Sequence, residues 1–190
     1  MKEDYHVQET FKNLDYSENV FTDREFENCS FLNCNFSNCD LSHNEYQDCQ
    51  FETCDLSMAN LKNTALKKVE FKHCKLVGVD FSALNDILFS VKFEHCRLDY
   101  TDFMHKNLEK TKFEECEIRE ANFSECKLQN AIFANCNLER TIFNRTNLSS
   151  ADFTTAFNFS IDPEQNTLRK AKFTLNGLPG LLNKYGIVVQ

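Results

Sequence analysis

The sequence has no tryptophan, four glycines and two prolines among 190 residues. Loops that cradle phosphate groups depend on closely spaced glycines, and the motifs GxxxxGK[ST], GxGxxG and GxSxG do not occur. Neither HExxH nor CxxC is present, and no apolar run is long enough to span a bilayer. These absences argue against an enzyme, a membrane protein, a cofactor and a bound metal.

The N-terminus lacks the apolar segment of an export signal, because Met1-Lys2-Glu3-Asp4 leads into polar residues. Ten cysteines are nevertheless present. Many free thiols without an export signal are typical of the reducing cytoplasm, so a cytoplasmic location is predicted. The length allows a single domain.

The chain does have a period of five. A large apolar residue recurs every five positions from Phe11 to Phe81 and, after a slip of two residues, from Phe93 to Phe153. Five residues advance a helix by about 500°, so the apolar residues form no stripe, and an odd period alternates between the faces of a straight strand. A chain that bends once in every five residues satisfies the pattern, which therefore predicts a solenoid.

Each repeat reads small residue, polar residue, Phe or Leu, then two polar residues, as in Cys34-Asn35-Phe36-Ser37-Asn38 and Ala151-Asp152-Phe153-Thr154-Thr155. This resembles the A(D/N)LXX motif of the pentapeptide-repeat family over roughly residues 11 to 155. The resemblance implies an all-β fold, a right-handed quadrilateral parallel β-helix in which four repeats make one coil.

A coil of twenty residues sorts the central residues of the repeats onto four walls. Two opposite walls would hold Phe11, Phe31, Phe51, Phe71, Phe93, Phe113, Phe133 and Phe153, and Phe21, Leu41, Leu61, Phe81, Phe103, Phe123 and Phe143. The walls between them would hold Leu56, Leu76, Leu98, Ile118 and Leu138, and Leu66, Leu88, Leu108, Leu128 and Leu148. These columns stay in phase only if residues 82–88 form a two-residue bulge.

Lys106 falls in an inward slot, where an unpaired ammonium group would be costly. We expect its charge to reach solvent or the turn around it to be distorted.

All ten cysteines lie two positions before a central residue, in the small inward slot. Cβ atoms of stacked coils point the same way about 4.8 Å apart, whereas a disulfide needs facing Cβ atoms about 3.8 Å apart. We therefore expect free, buried thiols that pack as small apolar groups. The histidines have no metal-ligand spacing, although His73 and His95 are expected to stack one coil apart.

The chain is predicted to divide into a polar lead-in (1–10), the repeat β-helix (11–155) and a C-terminal cap and dimerisation segment (156–190). A short helix is predicted around Pro179 to Tyr185, followed by a strand at 187–189. The segment must cover the open end of the solenoid, by capping or by pairing with a second copy.

The pieces 161–164, 180–182 and 185–189 resemble the tails with which pentapeptide-repeat proteins of the Qnr and MfpA types form two-fold dimers. The resemblance favours a homodimer over capping alone. The residues expected at its interface are Leu178, Leu181, Leu182, Tyr185, Ile187, Val188 and Val189.

Charge is distributed unevenly along the chain. The total of 29 acidic and 21 basic residues gives −8, but residues 1–60 hold 13 acidic and 3 basic residues, a net of −10, and the remainder nets +2. A negative surface repels nucleic acid and attracts basic proteins, so direct binding of nucleic acid is disfavoured.

Some acids lie directly before a central residue, where the repeat motif itself has Asp or Asn, and their side chains are expected to form hydrogen bonds within turns. These acids include Asp40, Asp80, Asp102 and Asp152. The remaining outward acids are either a solvated face or the candidate surface for a partner. The candidates are Asp15, Glu18, Asp23, Glu27, Asp48, Glu52, Asp55, Asp99, Glu114, Glu115, Glu117, Glu120, Glu125 and Glu139.

By resemblance to the Qnr, MfpA and McbG types, the expected function is to bind DNA gyrase or topoisomerase IV as a mimic of duplex DNA and to protect it from quinolones or a peptide toxin.

Seven coils give a dimer about 70 Å long, close to the length of twenty base pairs of duplex DNA. A duplex of that length carries about 40 phosphate charges, whereas the net charge of the dimer is twice the −8 of one chain. Mimicry would therefore use only selected faces of the solenoid. Many resistance proteins of these types carry loops that project from the coil and are longer than the two-residue excess of this chain. Weak or absent protection of the topoisomerase is therefore a further alternative. The alternative is a structural or scaffolding repeat protein with a different partner.

Overall fold

The computed structural model describes residues 4–187 and shows a parallel β-solenoid. Its strands are β1 (Tyr5–Val7), β2 (Thr10–Lys12), β3 (Glu25–Glu27), β4 (Ser30–Leu32), β5 (Glu45–Gln47), β6 (Gln50–Glu52), β7 (Ala65–Lys67), β8 (Val69–Lys72), β9 (Val91–Glu94), β10 (Lys112–Glu114) and β11 (Ile132–Ala134). Strands β1, β3, β5 and β7 form one sheet, and the other seven form a second.

Successive coils pair in register at a spacing of twenty residues. Phe31 pairs with Phe51 and Phe26 with Tyr46, and isolated parallel bridges such as Asn35↔Asp55 and Asp40↔Asn60 continue the pairing between the sheets. We number the walls in chain order by one central residue each: wall 1 holds Phe31, wall 2 Phe36, wall 3 Leu41 and wall 4 Tyr46. The predicted four-sided parallel β-helix is confirmed.

The corners are built by residues with left-handed backbone conformation. The last residue of the repeat has positive φ at Asn13 (56°), Asn33 (52°) and Asn38 (54°), and the same holds through most of the coil. Asparagine is among the side chains that best tolerate this conformation, so the chain turns its corners with few glycines. Asp40 and Asp152 accept hydrogen bonds from the backbone N–H two residues on, both at 3.0 Å, which confirms their role in turns.

The core is a set of side-chain columns that run the length of the solenoid. On wall 1 nine phenylalanine rings stack with centroids 4.5 to 5.4 Å apart: Phe11, Phe31, Phe51, Phe71, Phe93, Phe113, Phe133, Phe153 and Phe173. Rings of wall 3 meet this column edge-on, as Phe103 meets Phe113 at 86°. From Phe93 to Phe153 each ring of the column makes both preferred aromatic contacts, and a coil is held by its neighbours on both sides.

The ten cysteines are buried and free, as predicted. Their thiols also donate hydrogen bonds: Cys54 Sγ lies 3.3 Å from the carbonyl oxygen of Phe31 in the preceding coil, and Cys74 Sγ lies 3.4 Å from that of Phe51. Burial raises the pKa of Cys126 to about 12. The inward slot thus favours a small side chain that can also donate to a carbonyl, which Cys and Thr supply and Ala does not.

Regular pairing extends beyond residues 11–155 at both ends. Strand β1 of the predicted lead-in pairs with β3, and Lys172 pairs with Asp152. The last coil is covered by a 3-10 turn (Leu175–Gly177), the helix α1 (Pro179–Leu182) and a second 3-10 turn (Asn183–Tyr185). Gly180 accepts a 2.9 Å hydrogen bond from the Ile161 N–H, and a Cβ atom on Gly180 would lie 2.5 Å from the Phe159 carbonyl oxygen. Glycine is therefore required where α1 seals the end.

The predicted C-terminal helix is confirmed, but the predicted strand is not seen at Ile187, which has no regular structure. Val188 and Val189 lie outside the described residues.

The two extra residues lie slightly later than the predicted bulge. Asn85 still pairs with Ala65, twenty residues away, whereas Val91 pairs with Val69, twenty-two residues away. The placement of Leu88 in the wall 4 column is wrong, because its side chain is 74% exposed. Asp86 occupies that position in the repeat, and Phe89 packs against the core instead.

Lys106 explains this arrangement. Its ammonium group is buried, so the expectation that its charge reaches solvent is wrong, and the distortion that was the alternative lies in the preceding coil, which holds the two extra residues. Lys106 Nζ donates to the Leu84 carbonyl at 2.8 Å and to Asp86 Oδ1 at 2.5 Å, and it lies 5.8 Å from the centre of the Phe89 ring. Asp86 falls at the column position of its repeat but turns its carboxylate outward, with 78% of its side chain exposed, and there it binds the buried ammonium of Lys106 from the next coil.

Candidate partner-binding surface

The candidate acids of the middle and C-terminal coils contact basic side chains, mostly one coil away. The pairs within 4 Å are Asp48–Lys68, Asp55–Lys75, Glu114–Lys112, Glu115–His95, Glu117–Arg119, Glu120–Arg140 and Glu125–Arg145. Because acid and base alternate along these columns, their fields largely cancel at a distance. Glu139 lies near Arg119 and interacts with its charge.

Asp99 does not belong to a partner surface. The prediction that it points outward is wrong, because only 2% of the residue is exposed. Its carboxylate accepts hydrogen bonds from Arg119 Nη2 at 3.0 Å, the Arg119 backbone N–H at 3.1 Å and Arg97 Nη2 at 3.2 Å. Burial opposes ionisation of Asp99, but these hydrogen bonds outweigh it and hold its pKa below the ordinary value. Asp99 is a structural ion-pair residue.

Five candidate acids of the first three coils differ from the rest. Within residues 4–187 no basic side chain lies within 4 Å of Asp15, Glu18, Asp23, Glu27 or Glu52, which we call the N-terminal acids. Asp15 accepts hydrogen bonds from the side chain and backbone of Ser17, which lower its pKa, and Glu27 accepts one from the Tyr5 hydroxyl at 2.6 Å. Among the described residues, the candidate acids other than Glu139 that have no base within 4 Å therefore lie at the N-terminal end of the solenoid.

The histidine stack is confirmed: the rings of His73 and His95 are parallel, with centroids 4.7 Å apart. His95 Nδ1 lies 3.2 Å from Glu115. Among the residues that the structure describes, no group of three or more His, Cys, Asp or Glu side chains is arranged to hold a metal ion. No helix in that part of the chain is long and apolar enough to cross a membrane.

The residues predicted for a dimer interface separate into two groups. Leu181 packs against the core and Leu182 is half-buried, so these two serve the cap of the last coil. Leu178, Tyr185 and Ile187 are 40%, 54% and 56% exposed. Tyr185 also donates a 2.9 Å hydrogen bond to Glu164, which ties the tail to the coil.

Sequence reasoning missed several exposed apolar residues. Leu175 is 85% exposed and Phe157 46% exposed, both near the C-terminal end, while Ile87 is 63% exposed beside Leu88 at the bulge. A period-five pattern identifies what points inward, but it carries no signal for which outward or inserted residues are apolar.

Comparison with known proteins agrees with this geometry. A family model described as "Pentapeptide repeat region" matches residues 21–103 and 86–156. Among curated proteins no sequence matches significantly.

Among solved structures, full-length QnrB1, described as a plasmid-mediated fluoroquinolone resistance protein, aligns with a TM-score of 0.64 at 24% identity, covering 96% of this chain and 100% of that one. A trypsin-treated QnrB1 variant aligns with a TM-score of 0.50 at 23% identity, covering 98% and 97%. HetL of the cyanobacterium Nostoc, a pentapeptide-repeat protein described as involved in heterocyst differentiation regulation, aligns with a TM-score of 0.46 at 16% identity, covering 90% and 87%. At these identities the likeness to solved structures shows the fold alone.

Proposed function

The chain belongs to the pentapeptide-repeat family, and we propose that it binds DNA gyrase or topoisomerase IV as a mimic of duplex DNA and protects the enzyme from quinolones or a peptide toxin. The supporting observation is the charge of the N-terminal acids, none of which has a base within 4 Å among the described residues, on a solenoid whose coils pair in register. A DNA-binding surface is basic, and a rigid array of carboxylates complements it. QnrB1, to which the chain is structurally similar, is described as a fluoroquinolone resistance protein.

The dimensions restrict how the mimicry works. Nine rungs about 4.8 Å apart make a rod of about 38 Å, slightly longer than seven coils give, and a tail-to-tail dimer would be about 77 Å long. A duplex of that length carries about 45 phosphate charges, far more than twice the chain charge of −8. The candidate carboxylates of the middle coils lie beside basic side chains. The contact with the enzyme is therefore assigned to the N-terminal coils.

The function is tested by titrating the purified protein into a gyrase supercoiling assay and into a cleavage-complex assay with ciprofloxacin. We expect inhibition of supercoiling or loss of drug-stabilised cleavage at micromolar protein. Replacing the N-terminal acids with their amides should raise the concentration required by at least about tenfold, a loss of about 1.4 kcal/mol of binding free energy. No effect of the wild-type protein in either assay would favour the scaffold alternative.

A matched control separates local charge from net charge. The variant carries the same number of neutralised acids, taken from the paired set: Asp55→Asn, Glu114→Gln, Glu115→Gln, Glu120→Gln and Glu125→Gln. We expect its potency to stay within about threefold of the wild type, because the proposed contact lies at the N-terminal coils, even though the change unmasks the basic partners of these carboxylates. Equal losses in the two variants would mean that only total charge matters.

We also propose that the chain forms a homodimer through its C-terminal end. The exposed Leu178, Tyr185 and Ile187 supply apolar surface there, beside the exposed Phe157 and Leu175. A groove of about 650 Å³, lined by Phe157, Phe159 and Pro179 among others, opens next to them.

For the dimer, Leu178→Glu is expected to give a monomer by light scattering, because a charge would be buried in the interface. Leu178 is a better test than Leu181, which the cap itself needs. The control is Val20→Glu, at a side chain that is 72% exposed at the opposite end of the rod, and it should stay dimeric. A dimer mass for the Leu178 variant would rule out this interface.

A further inference from the structure

The bulge presents the only consecutive pair of large, strongly exposed apolar residues on the walls of the described solenoid. Ile87 is 63% exposed and Leu88 is 74% exposed. Leu88 also holds a left-handed backbone conformation, with φ of 56°. We call this pair the knob. Isolated apolar residues on a surface need no explanation, but two adjacent ones on a short protrusion resemble the anchors of protein interfaces.

The knob is fixed in position rather than free. The buried ammonium of Lys106 binds Asp86 just before it, and the Ile87 N–H donates to Asn85 Oδ1 at 2.9 Å. Phe89 packs against the core just after it. The ends of the bulge are thus anchored from the next coil and from the interior. A preorganised protrusion loses little conformational entropy when a partner covers it.

The knob shares wall 4 with two of the N-terminal acids. Glu27 pairs with Gln47, Gln47 with Lys67, and Ala65 with Asn85, which places Ile87 three coils from Glu27 on the same wall. Three coils span about 14 Å. Asp23 lies at the corner where the chain enters this wall. One face of the rod therefore carries uncompensated carboxylates at one end and an apolar anchor near its middle.

Polar and charged side chains surround the knob. Shallow depressions on its two sides are lined by Lys67, Lys68 and Asp48, and by His105, Asn107 and Lys127. An apolar centre within a polar rim is the usual anatomy of a protein–protein contact. Duplex DNA offers no such protruding apolar group, so this contact lies outside the mimicry.

We propose that wall 4 is the face that docks on the topoisomerase. Glu27 and Asp23 meet a basic patch, and about 14 Å away Ile87 and Leu88 enter an apolar socket of the same protein. This inference rests on the proposed function, since the partner is the enzyme named there. The carboxylates give long-range attraction, and the knob selects the one protein surface that carries both features at that spacing.

The test uses a single introduced thiol. Since the ten native cysteines are all buried, a cysteine placed at an exposed site reacts selectively with a maleimide. Leu88→Cys puts it on the knob. Met58→Cys is the matched control, because Met58 is also exposed (60%), also has left-handed φ (58°), and lies at the diagonally opposite corner of the solenoid, one coil earlier.

Alkylation rates of the full-length variants are measured with and without saturating gyrase holoenzyme, alongside the supercoiling assay. We expect the reaction of the Leu88→Cys protein to slow by at least about tenfold and that of the Met58→Cys protein by less than about twofold.

If gyrase slows alkylation by the same factor at the two sites while the proteins still inhibit gyrase, the docking face is overturned and the proposed function stands. No inhibition and no protection would overturn both. Protection of Leu88→Cys that rises with protein concentration in the absence of gyrase would assign the knob to contact between copies and would also overturn the proposal.

Discussion

Replacing Phe113 with alanine is expected to lower the free energy of unfolding by about 4 kcal/mol, the range typical of Phe→Ala in a core. Phe113 is fully buried, stacks at 5.3 Å on Phe93 and at 4.9 Å on Phe133, and meets Phe123 edge-on at 5.8 Å. The coils above and below are fixed by their own pairing and cannot collapse into the space. The cavity therefore persists, and its cost adds to the lost transfer free energy.

Denaturant unfolding followed by circular dichroism measures this loss. The control is Tyr100→Ala, because Tyr100 is 59% exposed and lies outside the proposed dimer and docking surfaces, and it should cost less than about 1.5 kcal/mol. A loss below about 2 kcal/mol for Phe113→Ala would mean that the ring column is not the main source of stability between coils.

Removing the carboxylate of Asp86 is expected to destabilise the protein by about 3 kcal/mol, because it leaves a buried ammonium without its counter-charge. The Lys106 side chain is 3% exposed, and the Leu84 carbonyl would be its remaining hydrogen-bond partner among the described residues. Asp86→Ala is the variant. Lys106→Met should cost much less, since the Asp86 side chain is 78% exposed and stays solvated when its partner is lost.

The double variant makes the comparison sharper. If Asp86 serves mainly to neutralise Lys106, then Asp86→Ala in the Lys106→Met background should cost less than about 0.5 kcal/mol. A cost of Asp86→Ala that is the same in both backgrounds would show that Asp86 acts through the backbone of the bulge and not through the charge of Lys106.

The walls and the cysteine slots could be predicted from the sequence because inward residues repeat every five positions. With the single assumption of a twenty-residue coil, and with the two extra residues between Phe81 and Phe93 taken into account, the sequence predicts that Phe71 stacks on Phe93. The ninth ring, Phe173, was missed because the small-residue slots lose their pattern after residue 155, although backbone pairing continues there.

The bulge could not be placed from apolarity alone. Leu88 suits an inward column better than Asp86 by hydrophobicity, but the positive charge of Lys106 in the next coil reverses that preference. The cost of an unpaired buried ammonium outweighs the gain from one buried leucine. The signal was present, as an acid twenty residues before an inward lysine, but a period of hydrophobic residues does not reveal it.

The pairing of the acids had a similar signal. Once the coil length is known, Asp48 and Lys68 or Glu120 and Arg140, each twenty residues apart, are predicted neighbours. Counting acids by outward position treats them all alike, whereas pairing them across coils would have distinguished the N-terminal acids other than Glu52, which lies in register with Lys72. Asp99 is a different case. It falls at a position that faces outward in the repeat, but hydrogen bonds from Arg97 and Arg119 hold its carboxylate in a buried place.

The central claim is that the N-terminal acids occupy the surface on which gyrase binds DNA. Displacement of a fluorescent duplex from gyrase holoenzyme, followed by anisotropy at a low and at a higher salt concentration, tests it most directly. We predict that the wild-type protein displaces the duplex, that the amide variant of the N-terminal acids needs at least about tenfold more, and that added salt weakens the wild type more than the variant. Simultaneous binding of protein and duplex, or equal displacement by both forms, would contradict the claim.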